Sequence, residues 1–212
     1  MRSRWFAPLC IAAMIIFGAV IYNQLPAQVP MHWGINGQVD RTGSRLEGAL
    51  LLPLLSIGVW LLMRVLPRID PRRASYAEFQ DTFNLFINIV ILFLAALYVV
   101  MLGSTLGWNI SVPQVVGVGV GLLLAVLGNE MGRVKPNWFV GIRTPWTLAD
   151  PEVWRRTHRV GGRIFFVAGL VMAAVALLLP AYLFAVILVC VLVVALAPTV
   201  YSYVVWRQRP SA

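Results

Sequence analysis

The chain has 212 residues and only two histidines, so what surrounds each one decides what chemistry it could support. His32 sits in Pro30-Met-His-Trp-Gly, with Asp40 eight positions on and Glu47 beyond it. An imidazole beside a carboxylate is the pairing that orients a general base, which makes His32 and Asp40 a candidate acid/base pair. A zinc centre needs three or four ligands, and this stretch offers only His32, Asp40 and Glu47. For two residues of a turned loop the plainer role is a local hydrogen bond. The second constellation is Lys135-Pro-Asn-Trp-Phe-Val-Gly-Ile-Arg-Thr-Pro-Trp-Thr, which continues through Trp154 and His158 to Arg159. Its Arg143 presents a planar fork suited to a carboxylate or phosphate. The plainer reading pairs Arg143 with Glu130, Asp150 or a lipid phosphate; the functional one makes Asn137, Arg143, Trp146 and Thr147 a docking face. There is no His-Glu-x-x-His, no Gly-x-Ser-x-Gly and no phosphate-cradling glycine loop. No catalytic residue, metal or cofactor is implied.

The elements that position these residues follow from composition. At 60% hydrophobic and 12% charged residues, with a mean hydropathy of +0.82, the chain falls in the membrane class. Six apolar runs are long enough to span: Trp5–Tyr22, Leu46–Leu66, Phe83–Leu106, Val112–Leu127, Ile164–Leu179 and Ala181–Trp206. Continuous apolar runs are helices in lipid, since barrel strands would alternate in polarity. The expected fold is an all-α polytopic membrane protein with about six transmembrane helices. Of the 17 basic residues, all but Arg41 and Arg45 lie in the N-terminus, the second and fourth loops or the tail. The positive-inside rule therefore places both termini and residues 128–162 in the cytoplasm and residues 24–45 outside. His32 and His158 would then face opposite sides and could not act together. Basic residues sorted by loop, despite a net charge of +9, argue against direct nucleic-acid binding.

None of the eight acidic residues falls near the middle of a span, which disfavours an ion-coupled carrier. Asn84 and Asn88 suit interhelical hydrogen bonding, and Gly117, Gly119 and Gly121 suit close helix packing. Cys10 and Cys190 both lie in apolar runs, so no structural disulfide is expected. The first run has no clear cleavage site after it and reads as an uncleaved helix. Gly107–Ser111 and Pro180 mark tight turns. In the outer loop Pro26 and Pro30 disfavour helix, Asn36-Gly37 signals a turn and Gly43 a bend, giving a compact, turned segment. There Asp40 and Glu47 offset Arg41 and Arg45, and Trp33 suits an anchor at the headgroups. The basic inner loop 67–80 is broken by Pro71. Lys135 to Thr147 reads as extended or turned, and a helix begins near Pro151 with Asp150 as its N-cap. Trp154 and His158 share one face of that helix. It is expected to lie on the anionic inner leaflet, Trp inward and Arg155 and Arg159 toward headgroups, before bending at Gly161-Gly162. Residues 1–106 and 107–212 form the two parts.

Leu25-Pro-x-x-Val-Pro-Met-His-Trp, followed by Gly37 and Asp40, resembles the motif of an uncharacterised domain that forms the N-terminal part of the SdpI-like family. Lys135-Pro-Asn137, Gly141-Ile-Arg143-Thr144-Pro145-Trp146-Thr147, Trp154 and Thr157-His158 resemble the C-terminal part of that family of sporulation-delaying toxin immunity proteins. Trp33 stands where Phe or Tyr is expected. The resemblance covers most of the chain and implies a multi-pass bacterial inner-membrane protein that protects against a secreted antimicrobial peptide. It also implies signalling, by holding a cytoplasmic winged-helix repressor at the membrane. His32, Trp33, Gly37 and Asp40 would then be toxin-facing or loop-structuring. Lys135, Asn137, Gly141, Arg143, Thr144, Pro145, Trp146, Thr147, Trp154 and His158 would be docking candidates. A membrane hydrolase or metal-dependent enzyme built on the His32 loop, and a small-molecule or ion transporter, stay open as alternatives.

Overall fold

A computed structural model describes residues 2–209. Six of its helices are long and apolar enough to cross a membrane. They are α1 (Phe6–Ile21), α2 (Arg45–Ile69), α4 (Gln80–Thr105), α5 (Val112–Met131), α7 (Pro151–Leu178) and α8 (Leu183–Arg207), with the short helices α3 (Ser75–Glu78) and α6 (Pro145–Ala149) between them. The protein is a polytopic membrane protein, as composition requires. Two strands, β1 (Gln28–Trp33) and β2 (Val39–Ser44), join α1 to α2, so the fold is helical with one exception. The strands escape the sequence reading because Pro30 and Gly43 lie within them. A lone hairpin tolerates both, since each strand has a free edge.

The helices pack as two groups joined by α4 against α5. Around α1, α2 and α4, the fully buried Ile91 and Tyr98 sit in apolar clusters with Ile11, Met14, Phe86 and Leu102. The Tyr98 hydroxyl donates to the Ala49 carbonyl at 2.7 Å, which satisfies the one polar atom that this residue brings into the apolar layer. In the other group the α5/α7 seam is the most extensive contact in the molecule. With no hydrophobic drive between helices in lipid, such seams depend on small residues that let backbones approach. A Cβ on Gly121 would lie 2.6 Å from the Gly169 carbonyl oxygen, and one on Gly128 would lie 2.6 Å from that of Gly162. Gly119 instead faces the Phe93 ring on α4 and Gly117 meets Leu183 on α8 as well as Ala176 on α7, so the glycines expected to pack closely serve three neighbouring helices.

The fifth span differs most from expectation. The helix runs unbroken from Pro151 to Leu178, about 42 Å at 1.5 Å per residue. Gly161 and Gly162 do not interrupt it; Gly161 packs beneath Ile142 and Pro198, and Gly162 closes on Gly128. The start of α7 is also not laid on a lipid surface. Its Trp154 and His158 are buried in protein, at 1% exposure each. At one end of the bundle lies the hairpin, next to the start of α5. At the other end lie α3, α6, the segment 132–144 and nearly all the charge.

Candidate functional site

The hairpin turn is closed by Gly34 N–H to Gln38 O and Gly37 N–H to Gly34 O, both 2.9 Å, and Gly37 takes φ +77°. That left-handed backbone is what the Asn36-Gly37 signal requires. The pairing is irregular on both sides of His32. His32 Nδ1 lies 2.6 Å from Asp40 Oδ1, so these two residues form the local pair that their spacing suggested. Both are more than half exposed, so the pair is well screened and staples the hairpin weakly. Thr42 adds a side-chain bond to Gln28 at 2.8 Å. Below it, Ser44 and Glu47 form a capping box that launches α2, and Val29 packs into the space left by Gly48. Glu47 therefore serves the helix cap, and Asp40 serves His32; neither forms an ion pair with Arg41 or Arg45. Trp33 is half-buried against the cluster containing Leu25, Val29 and Leu102. His32 and Asp40 supply at most two metal donors, and no group of three or more His, Cys, Asp or Glu among the described residues could hold a metal ion.

At the opposite end, several loops are locked together around a carboxylate that the sequence reading passed over. Asp70 is 2% exposed and accepts three hydrogen bonds. They come from Arg72 N–H at 2.7 Å, the Tyr76 hydroxyl at 3.0 Å and Trp138 N–H at 2.9 Å. Burial and the bond to Asp70 push the Tyr76 hydroxyl well above the ordinary tyrosine range, so it stays a donor. Asn137 is fully buried and folds its own loop. Its amide nitrogen donates to the Lys135 and Val140 carbonyls at 2.9 and 3.0 Å, and its oxygen accepts from Phe139 and Val140 N–H at 2.9 and 2.7 Å. Arg72 reaches across to the Leu148 carbonyl at 2.9 Å, and Lys135 pairs with Glu78 at 3.1 Å. An acidic residue at the end of a span, among Arg64, Arg68, Arg72 and Arg73, was the available signal for Asp70.

The start of α7 closes the same assembly. Asp150 caps it by accepting from Glu152 and Val153 N–H, and its other oxygen pairs with Arg209 at 2.9 Å. Trp154 donates its indole N–H to the Val134 carbonyl at 2.8 Å and stacks on His158 at 4.0 Å. His158 Nε2 accepts from Ile142 N–H at 3.0 Å, which leaves Nδ1 to carry the proton and donate to the Trp154 carbonyl at 2.9 Å. Gly141, at φ +111°, has no room for a side chain because His158 lies against it. Thr144 and Thr147 form a capping box for α6, which was not foreseen, and Thr144 reaches Ser202 on α8 at 3.0 Å.

Of the docking candidates, Asn137, Thr144, Thr147, Trp154 and His158 are thus buried and build the loop. Lys135, Gly141, Arg143 and Pro145 are exposed, and Trp146 is half-buried against Tyr203, 5.0 Å between rings. Arg143 pairs with neither Glu130 nor Asp150. Its guanidinium donates to the Trp138 carbonyl at 2.7 Å, because Glu130 is held by Arg133 and Arg2 and Asp150 by Arg209.

Six apolar helices, a stapled hairpin at one end and a locked basic assembly at the other define a multi-pass membrane protein with two separate polar faces. Comparison with known proteins narrows the class. Residues 133–202 match the model of the SdpI/YfhL protein family, and residues 9–57 match a domain of unknown function, DUF1648. The chain is 24% identical over 208 residues to the immunity protein SdpI of Bacillus subtilis (strain 168), covering 98% of each chain. An uncharacterised protein of Archaeoglobus fulgidus is 36% identical over 55 residues, 26% of this chain and 30% of that protein. The resemblance read from the two motifs is thus met by a family model at each end of the chain, and the chain is similar to the immunity protein SdpI along nearly its whole length. No solved structure matches it.

Proposed function

We propose that this chain is a membrane immunity protein that protects a cell from a secreted antimicrobial peptide. The observation that carries this reading is the end-to-end similarity to the immunity protein SdpI, which spans both polar faces and all six helices. The hairpin faces outward and both termini face the cytoplasm, an orientation supported by the charge, since Arg41 and Arg45 are the only basic residues at the hairpin end. His32, Trp33, Gly37 and Asp40 then belong to the surface that a toxin meets first. His32 and Asp40 shape the hairpin, and the exposed Ile35 at its tip gives an apolar contact. Toxin occupancy is read on the far side by a cytoplasmic repressor of the winged-helix class. The surface for it is the rim formed by the exposed Arg143 and Pro145 with the half-buried Trp146, held in place by the buried Asn137, Thr147 and His158. The test is expression of the full chain in a sensitive strain exposed to candidate peptides, with a fluorescent repressor fusion scored for recruitment. Protection that survives Arg143→Ala while recruitment is lost supports the division of labour. Arg143→Ala with normal recruitment, at normal membrane levels, removes the docking assignment.

A further inference from the structure

We infer that the groove between α7 and α8 is a binding site for one anionic phospholipid, with Arg163 holding the headgroup phosphate. The groove is walled by Val167, Ala168 and Val171 on α7 and by Val189, Cys190 and Val193 on α8. Its floor is the close approach of Cys190 Sγ to the Ala168 carbonyl, at 3.6 Å. The valines on both walls are exposed, so the slot opens toward lipid. Arg163 is the one charged residue lining it.

Depth and charge choose the occupant. From Ile164 the helix is apolar to Leu178, roughly 22 Å at 1.5 Å per residue. That is shorter than the ~30 Å hydrocarbon layer, so Arg163 is drawn to the boundary where a long cationic side chain snorkels to the headgroups. Its guanidinium is exposed and no acidic side chain among the described residues pairs with it. Glu152 is taken by Arg155 and Arg156, Asp150 by Arg209, and Glu130 by Arg133 and Arg2. A planar donor fork without a carboxylate, at phosphate depth, above an apolar slot, matches a phosphate ester joined to an acyl chain. A zwitterionic lipid would bring its own cation against Arg163, which favours an anionic headgroup.

The test is native mass spectrometry of the full chain released from nanodiscs of equal phosphatidylglycerol and phosphatidylcholine. The wild-type chain should retain one phosphatidylglycerol with about fivefold preference, the ratio that one basic group at an anionic surface supplies. R163Q should abolish the preference, R163K should restore it, and the exposed R68Q and R73Q should leave it unchanged. V171W, which fills the slot and keeps the charge, should lower retention of both lipids. The proposal is overturned if R163Q keeps the preference, or if R68Q and R73Q reduce it as much as R163Q does. It is equally overturned if the chain emerges as a dimer with lipid excluded from the slot. R163K guards against a folding defect in R163Q, because loss in both with intact helical circular dichroism also counts against the phosphate contact.

Discussion

At the residue scale, the side chains that mattered most are not the two that first suggested chemistry. His32 and Asp40 form a solvated pair on a hairpin, so His32→Ala is expected to change thermal stability in detergent very little. Asp70 is the opposite case. Asp70→Ala takes the acceptor from two backbone N–H groups in a buried site and leaves the Tyr76 hydroxyl only its longer bond to Asn137 Oδ1 at 3.4 Å, at roughly 1–3 kcal/mol for each donor left unpaired where water cannot reach. It should lower the unfolding midpoint far more than Asp81→Ala, whose side chain is exposed. Tyr76 adds a pH test. Its hydroxyl titrates higher in the folded chain than in the unfolded one, where tyrosine loses its proton near pH 10. The folded state then binds more protons above that pH, so the contribution is fully present below about pH 10 and is lost as pH rises beyond it. Tyr76→Phe should remove this part of the alkaline instability, as read from unfolding midpoints between neutral and alkaline pH.

At the element scale, the α5/α7 seam is built from glycines that no larger residue can replace without parting the helices. Gly128→Val places atoms against the Gly162 carbonyl and Phe166 N–H, so it should sharply reduce the folded yield in detergent. Gly58→Ala on α2, where a Cβ meets nothing within 4 Å, should be tolerated. The spans were legible because lipid imposes one simple demand, a long apolar run with its backbone bonds made internally. The Asp150-Pro151 start of α7 was legible for a similar reason, since capping is local. The hairpin was read only as a turn, because Pro30 and Gly43 mask short strands whose pairing is set across the loop. The unbroken course of α7 was missed because Gly-Gly reads as a hinge when its packing partners, Gly128, Ile142 and Pro198, cannot be seen.

At the scale of the whole molecule, the two polar faces lie at opposite ends of the bundle and are connected only through helices. The basic face is a closed assembly in which the segment 133–150, α3 and the ends of α7 and α8 share hydrogen bonds. The Asp70 clamp joining them was not legible, since it depends on loops 60 or more residues apart meeting in space. The similarity to SdpI along 98% of each chain makes protection the central claim. Its most direct measurement is the survival of a sensitive strain across a dose series of secreted peptide toxin, with this chain or the Gly128→Val variant expressed. The account predicts that cells carrying the native chain survive doses that kill both the vector control and the variant. Identical killing curves for native chain and vector, against every toxin to which SdpI itself protects and with the native chain confirmed in the membrane, would contradict it.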